Sequence, residues 1–190
     1  AVSDYEIDNS LRFNDGDSPY LSRTFSAGNR RTWTLSVWAK RTKPGGTQAV
    51  FGAGPTPGTN LFNDIYFGSD DKITSYLYTG STIWVISTES VFRDPAAWYH
   101  IVFAVDTTQA TDTNRLKLYV NGELQALSTA TYPPQDTEGY INDDIGHKIG
   151  EYFGSGEGNH YNGYLAEYYF IDGTALTPSS FGELSSTTNQ

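Results

Sequence analysis

Residues 33–41 read Trp33-Thr34-Leu35-Ser36-Val37-Trp38-Ala39-Lys40-Arg41, and this stretch decides the fold. In an extended chain successive side chains point to opposite faces. Trp33, Leu35, Val37 and Ala39 then share one apolar face, while Thr34, Ser36, Trp38 and Lys40 share the other. Helical periodicity is nearly absent elsewhere. Short alternating runs cut by Gly, Pro, Asn, Asp and Ser recur instead, the pattern of a sandwich or barrel.

Working outward, Trp98 to Asp106 (W-Y-H-I-V-F-A-V-D) is apolar on both faces, as expected of a central strand covered on both sides. Leu116 to Val120, Asn121-Gly122, then Glu123 to Leu127 is the strongest local signal. Asn-Gly supports two consecutive positive-φ residues, so it predicts a type I′ hairpin turn. Gly163 to Ile171 reads as a further strand that ends at Asp172-Gly173. Thr177-Pro178-Ser179-Ser180-Phe181-Gly182 sets a capping hydroxyl before Pro at the first helical position and Gly at the end. One short C-terminal helical turn is expected there. The Gly- and Pro-rich stretches 43–59, 132–139 and 154–158 have strands on both sides and read as loops rather than linkers. The expectation is one all-β domain over residues 1–183, a two-sheet antiparallel sandwich, with a polar frayed tail at 184–190.

Composition narrows the function classes. A chain of 190 residues fits one large domain or two small ones, and it buries a core without staples. Zero Cys excludes disulfides, thiolate metal sites and a Cys nucleophile. With 12 Lys and Arg against 22 Asp and Glu, the net charge of -10 argues against a general grip on nucleic acid. No apolar run approaches the roughly 20 residues of a membrane span, so no membrane insertion is expected. No secretory leader is visible at Ala1, and a start without Met is expected of a processed or excised chain. The charge is uneven: residues 1–60 hold seven Lys or Arg, residues 121–190 only Lys148 against ten acids. This reads either as a solvated acidic surface or as an acidic rim that gathers a hard cation.

Several pieces, in order, carry a family resemblance. They are Ser10-Leu11-Arg12-Phe13 with Tyr20-Leu21, read as a short opening hairpin; Thr32 to Lys40; Trp98-Tyr99-His100-Ile101-Val102-Phe103; Leu118-Tyr119-Val120-Asn121-Gly122; Ile149-Gly150; Asn162 to Glu167; and Ala175-Leu176-Thr177. The set resembles the concanavalin A-like lectin/laminin G-like jelly roll over most of the chain. Ala166 stands where that family carries an acid, leaving Glu167 alone. The acidic loop of pentraxin-type calcium ligation is not reproduced, because Tyr152-Phe153 follow Glu151. More narrowly, Tyr164 through Gly182, and Leu11-Arg12-Phe13-Asn14 with Tyr20 to Thr24, are similar to fibre or decoration proteins of marine bacteriophages. That resemblance implies a virion-surface, extracellular setting.

Three kinds of site are weighed. Calcium takes six to eight oxygens, usually from loops. The best candidates are Asp143, Asp144, Glu157 and Asn159, with Asn142 and Glu151 nearby; Asp106, Asp112 and Asn114, and Asn14, Asp15 and Asp17, form lesser clusters. Turn chemistry alone also accounts for Asn and Asp in loops. Sugar binding needs aromatic faces beside carboxylates or amides. Tyr140 beside Asn142, Tyr152 beside Glu151, Tyr161, and Trp84 on the Ile83–Ile86 strand meet that need, whereas Trp33, Trp38 and Trp98 read as packing. Glycan cleavage needs two spaced carboxylates. Asp4, Glu6 and Asp8 alternate, but a solvated edge strand explains them better, and no serine-hydrolase, zinc-protease or phosphate-loop motif is present. The reading is a non-catalytic, lectin-like module of a phage virion protein that adheres to host-surface glycan, with calcium as the implied cofactor. The alternative is a structural module whose aromatics are buried against other virion subunits or in a homo-oligomer.

Overall fold

The computed structural model describes residues 9–56, 60–154 and 159–182. Asp4, Glu6, Asp8, Glu157 and the 184–190 tail lie outside the described residues. Two antiparallel sheets pack face to face. The six-stranded sheet runs β1 (Leu11–Phe13), β13 (Gly163–Asp172), β3 (Thr32–Arg41), β8 (Tyr99–Asp106), β9 (Leu116–Val120), β10 (Glu123–Leu124). The seven-stranded sheet runs β11 (Leu127–Thr131), β7 (Thr82–Thr88), β6 (Ile73–Thr79), β5 (Leu61–Phe67), β4 (Gln48–Ala53), β12 (Gly146–Ile149), β2 (Leu21–Thr24). Helical structure is confined to 3₁₀ turns at Asp15–Asp17, Asp112–Asn114 and Pro178–Ser180 among the described residues. None of these is long or apolar enough to cross a membrane.

Alternation builds the core as expected. Trp33, Leu35, Val37 and Ala39 are fully buried, and β8 sets Val105, Phe103 and Ile101 opposite the first three in register. The opposite sheet answers with Phe51, Ile65, Phe67, Leu77, Trp84 and Ile86. The second apolar face of β8 is also covered. The C-terminal segment crosses it: Thr34 Oγ1 donates to the Thr174 carbonyl at 2.7 Å and accepts from Leu176 N at 2.8 Å, and the Phe181 ring lies 6.4 Å from His100. Asn121 and Gly122 both take positive φ (50° and 83°), as the hairpin turn between β9 and β10 requires.

Three local expectations are corrected. The opening hairpin does not exist: β1 pairs with β13 in one sheet and β2 with β12 in the other. A 3₁₀ turn at Asp15–Asp17 and left-handed Ser18 carry the chain between the sheets. Thr177 does not cap the last turn; its hydroxyl meets Ser179 Oγ at 2.9 Å instead. The strand from Gly163 is broken by a bulge between Ala166 and Tyr169, with Glu167 at φ 46°. The extra residue reverses the alternation, so Leu165 before it and Tyr168 and Phe170 after it all turn to the core.

Candidate functional site

The candidate site is the outer face of the seven-stranded sheet. In β5, Asn63, Ile65 and Phe67 point to the core, which sends Phe62, Asp64 and Tyr66 outward. In β6 the same alternation sends Thr74, Tyr76 and Tyr78 outward. Register then pairs Phe62 with Tyr78, Asp64 with Tyr76 and Tyr66 with Thr74. A single row crosses the sheet as Ser22, Lys148, Gly52, Asp64, Tyr76 and Val85.

On this face four half-buried tyrosines gather around Phe62. Its ring lies 5.1 Å from Tyr76, 6.1 Å from Tyr78 and 5.4 Å from Tyr152, while Tyr66 packs edge-on to Tyr152 at 5.3 Å. The Tyr76 hydroxyl shares a 2.9 Å hydrogen bond with Thr82 Oγ1. Burial, with the nearby charge of Asp64, pushes the Tyr66 hydroxyl up to about 12 and Tyr152 higher still. Tyr66 and Tyr152 are therefore neutral at ordinary pH, and the cluster offers ring faces together with hydroxyls.

Tyr152 reaches this face on a loop that crosses the sheet, and Asp64 holds the loop down. Its carboxylate accepts from Phe153 N at 3.2 Å and from Gly154 N at 3.3 Å. Gly52 makes the room, because a Cβ there would stand 1.8 Å from Asp64 Oδ1. Asp64 is fully buried, and that burial raises its pKa well above the ordinary range despite both hydrogen bonds and the charge of Lys148. Beside it Lys148 Nζ donates to Glu151. Tyr152 thus faces the tyrosine cluster, and Phe153 lies on the other side of the loop, 5.1 Å from Lys148 Nζ.

The residues singled out from sequence scatter. Tyr152 lies in the cluster. Trp84 and Tyr161 are fully buried, Trp84 donating to Ser75 Oγ at 3.1 Å and Tyr161 packing on Phe13, so both are packing residues and not ligand contacts. Asn142 is buried at positive φ, where its side chain donates to the Asn29 carbonyl and to Asp172. It ties loops together and has no open face to offer. Tyr140 packs against the core, and Glu151 is committed to Lys148. Asp143 pairs with Arg30 at 3.0 Å, Asp144 is exposed, and Asn159 contributes its carbonyl to Ala49 N. Among the described residues no group of three acidic or His side chains converges as a metal would require. Sequence reading passed over Tyr66, Tyr76 and Tyr78. Their signal was the plain alternation of L-F-N-D-I-Y-F and I-T-S-Y-L-Y-T, which places them with Phe62 on one face.

A two-sheet antiparallel sandwich of this topology defines a lectin-like jelly-roll module. The chain belongs to the concanavalin A-like lectin/glucanases superfamily, whose model matches residues 14–180. No curated protein matches it. Among solved structures it is similar to a heptameric SAP-like pentraxin from Limulus polyphemus (TM-score 0.60, 18% identity, 90% of this chain and 77% of that one). It is also similar to the CBM40 of the Ruminococcus gnavus IT-sialidase bound to α2,3 sialyllactose (0.58, 15%, 84% and 95%). A third likeness is to domain 4 of the extracellular arabinanase AbnA from Geobacillus stearothermophilus in complex with arabinotriose (0.59, 16%, 93% and 76%).

Proposed function

We propose that this domain is a non-catalytic carbohydrate-binding module that grips glycan on the tyrosine face of its seven-stranded sheet. One observation carries the reading: Tyr66, Tyr76, Tyr78 and Tyr152 form a continuous, partly open aromatic surface around Phe62. Sugar rings stack their C–H faces on such rings, and neutral phenols supply hydroxyls for orientation. Two of the similar structures are sugar complexes, which supports the same reading. The carboxylates beside the cluster are already committed, Asp64 to the loop and Glu151 to Lys148, which favours binding without cleavage. The likeness of the Tyr164–Gly182 motifs to phage fibre and decoration proteins supports placing the module on a virion surface, where it adheres to host glycan. The test is a glycan array probed with the wild-type chain and Tyr76→Ala. Specific binders weakened in the variant support the reading; an array empty for the wild type overturns it.

A second reading has its own observation. Leu11, Tyr20 and Leu21, on or next to β1 and β2 at the open edges of the two sheets, are each about half exposed. Exposed apolar edges suit a subunit contact. Sizing with light scattering tests it: a stable oligomer dispersed by Leu21→Lys supports an assembly role, and a monomer at high concentration overturns it.

A further inference from the structure

We infer that this module carries a second carbohydrate-binding strip on the outer face of its six-stranded sheet, back to back with the tyrosine face. The inference rests on the carbohydrate reading for its ligand class and adds a site which that reading does not use. Strand alternation builds the strip. On β3 the core takes Trp33, Leu35, Val37 and Ala39, which turns Trp38 and Lys40 outward. Phe13 and Leu165 are buried, so Arg12 on β1 and Tyr164 on β13 also face out. Register sets Arg12, Tyr164 and Lys40 in one row. Trp98 ends the row, one residue before the Tyr99 that pairs with Ala39. Side-chain contacts agree with this placement. The Arg12 guanidinium lies 5.1 Å from the Tyr164 ring, and the Trp98 and Tyr164 rings stand 6.4 Å apart.

Each member of the row has a distinct part. Arg12 is a brace: Nη1 donates to the Phe13 carbonyl at 2.6 Å and to Asn162 Oδ1 at 3.2 Å, which holds the guanidinium beside Tyr164. Tyr164 and Trp98 are partly exposed, and their rings tilt toward each other at 54°. Lys40 stands between them in the row, partly exposed, and among the described residues it has no hydrogen bond or ion pair. Its ammonium keeps three donors for a ligand. In the next row Trp38 is also partly exposed and stacks on His100 at 4.9 Å, while Ser36 Oγ meets His100 Nε2 at 2.9 Å. The C-terminal segment closes the strip on that side, with Phe181 6.4 Å from His100. Trp38 and Trp98 read as packing in the sequence, but neither belongs to the core cluster.

Size and chemistry select the occupant. Four strands at the usual spacing give a row roughly 14 Å long, and two such rows cover on the order of 200 Å². A stable protein contact takes about 800 Å² from each partner, so the strip is too small for one and suits a short run of sugar rings. Sugars lay C–H faces on Trp98 and Tyr164 and present hydroxyls to an uncommitted ammonium. The two binding faces lie on opposite outer sides of the sandwich and point apart. One glycan chain therefore does not serve both, and a single module grips two chains and links them.

The experiment is a glycan array probed with the whole chain, Trp98→Ala, Lys40→Ala and Tyr76→Ala, each checked for folding by circular dichroism. Lys40→Ala leaves both rings in place, so it keeps the test open if Trp98→Ala fails to fold. The expected result is a set of binders weakened roughly 3- to 10-fold in Trp98→Ala, the loss of one stacking contact. Lys40→Ala weakens the same set several-fold, and Tyr76→Ala leaves that set alone while it weakens the binders of the tyrosine face. Wild-type chain, monomeric by light scattering, is expected to clump beads that carry one member of each set. Binders that fall only in Tyr76→Ala overturn the inference and leave the carbohydrate reading standing. A dimer dispersed by Trp98→Ala, with no binder weakened in that variant, overturns it too and gives the strip to a second copy of the chain. An array with no binder at all overturns both.

Discussion

The carboxylate of Asp64 lies 3.2 Å from the backbone nitrogen of Phe153, although 89 residues separate the two in the chain. This contact fixes the crossing loop, and with it the places of Tyr152 and Phe153. A buried carboxylate without a cationic partner at contact distance is expensive, and Asp64 is tolerated because two backbone N–H groups point at it. Asp64→Ala would leave both donors without an acceptor. The expected cost is about 2–3 kcal/mol in urea denaturation, with a loop newly open to proteolysis. Asp64→Asn keeps an acceptor oxygen and is expected to cost less. Equal stability of Asp64→Ala and wild type would refute the clamp.

The same residue gives a pH signature. Its folded-state pKa is raised, so the native state binds more protons than the unfolded state above the ordinary value of 3.8. Its contribution to stability is full below about pH 4 and is lost as pH rises through the folded value. The stability of the wild type relative to Asp64→Asn is therefore expected to fall between about pH 4 and the folded value. Parallel pH profiles for the two proteins would show that Asp64 titrates normally.

His147 works in the opposite direction. Its Nε2 accepts from Asn142 N at 2.9 Å while Nδ1 faces the Ile145 carbonyl at 2.9 Å, which fixes a neutral ring protonated on Nδ1. Burial lowers its pKa below 6.5, as it does for His100 stacked on Trp38. Between the lowered folded values and 6.5 the unfolded state holds the extra protons. Stability is then full above about pH 6.5 and declines as pH falls below it. His147→Phe is expected to lose about 1–2 kcal/mol at pH 8, because Asn142 N is orphaned, and to show a shallower decline toward pH 5. An unchanged slope would remove His147 from the account.

Arg41 and Asp71 close one end of the sandwich. Arg41 Nη1 lies 2.9 Å from Asp71 Oδ1, with the Arg41 side chain 1% exposed and stacked over Phe67. It also donates to the Phe92 and Gly46 carbonyls, and Asp71 is shared with Arg93. Burial alone would raise the Asp71 carboxyl, but the Gly45 N–H and Arg41 outweigh it and hold it low. Asp71→Ala strands a buried guanidinium, and the expected loss is about 3–5 kcal/mol by denaturant titration. A loss below about 1 kcal/mol would mean that the carbonyls alone satisfy Arg41.

The core was legible because its signals are local. Trp33 to Arg41 alternates, Asn121-Gly122 demands its turn, and Trp98 to Asp106 shows an apolar second face for which the 174–182 segment supplies the cover. The bulge at Glu167 was not legible, since an extra residue leaves no mark in composition. The split of β1 and β2 between sheets was also hidden, because adjacent short strands read as a hairpin whichever sheet they join. The site was harder still. Loop aromatics beside acids are the sequence signal for a sugar site, but tertiary packing draws Asn142 and Tyr161 inward. The tyrosines that remained partly open sat on strands, and their grouping depends on which face the crossing loop leaves uncovered.

Trp84 and Tyr76 separate a packing aromatic from an open one. They lie on neighbouring strands, Trp84 paired with Leu77 and Tyr76 with Val85, so their side chains leave the sheet on opposite faces. Trp84 fills the core, and Trp84→Phe trades indole volume and the Ser75 hydrogen bond for a cavity. A loss of about 1–3 kcal/mol in stability is expected, with unchanged affinity for any glycan that the wild type binds. Tyr76→Ala removes an open ring from the outer face. Its stability cost is expected to be smaller, while one lost stacking contact weakens glycan binding by roughly 3- to 10-fold, using about 0.5–1.5 kcal/mol for an aromatic contact. Calorimetric titration of both variants, beside their urea midpoints, gives the crossed pattern directly. A glycan affinity that falls in Trp84→Phe and holds in Tyr76→Ala would move the binding surface off the tyrosine face.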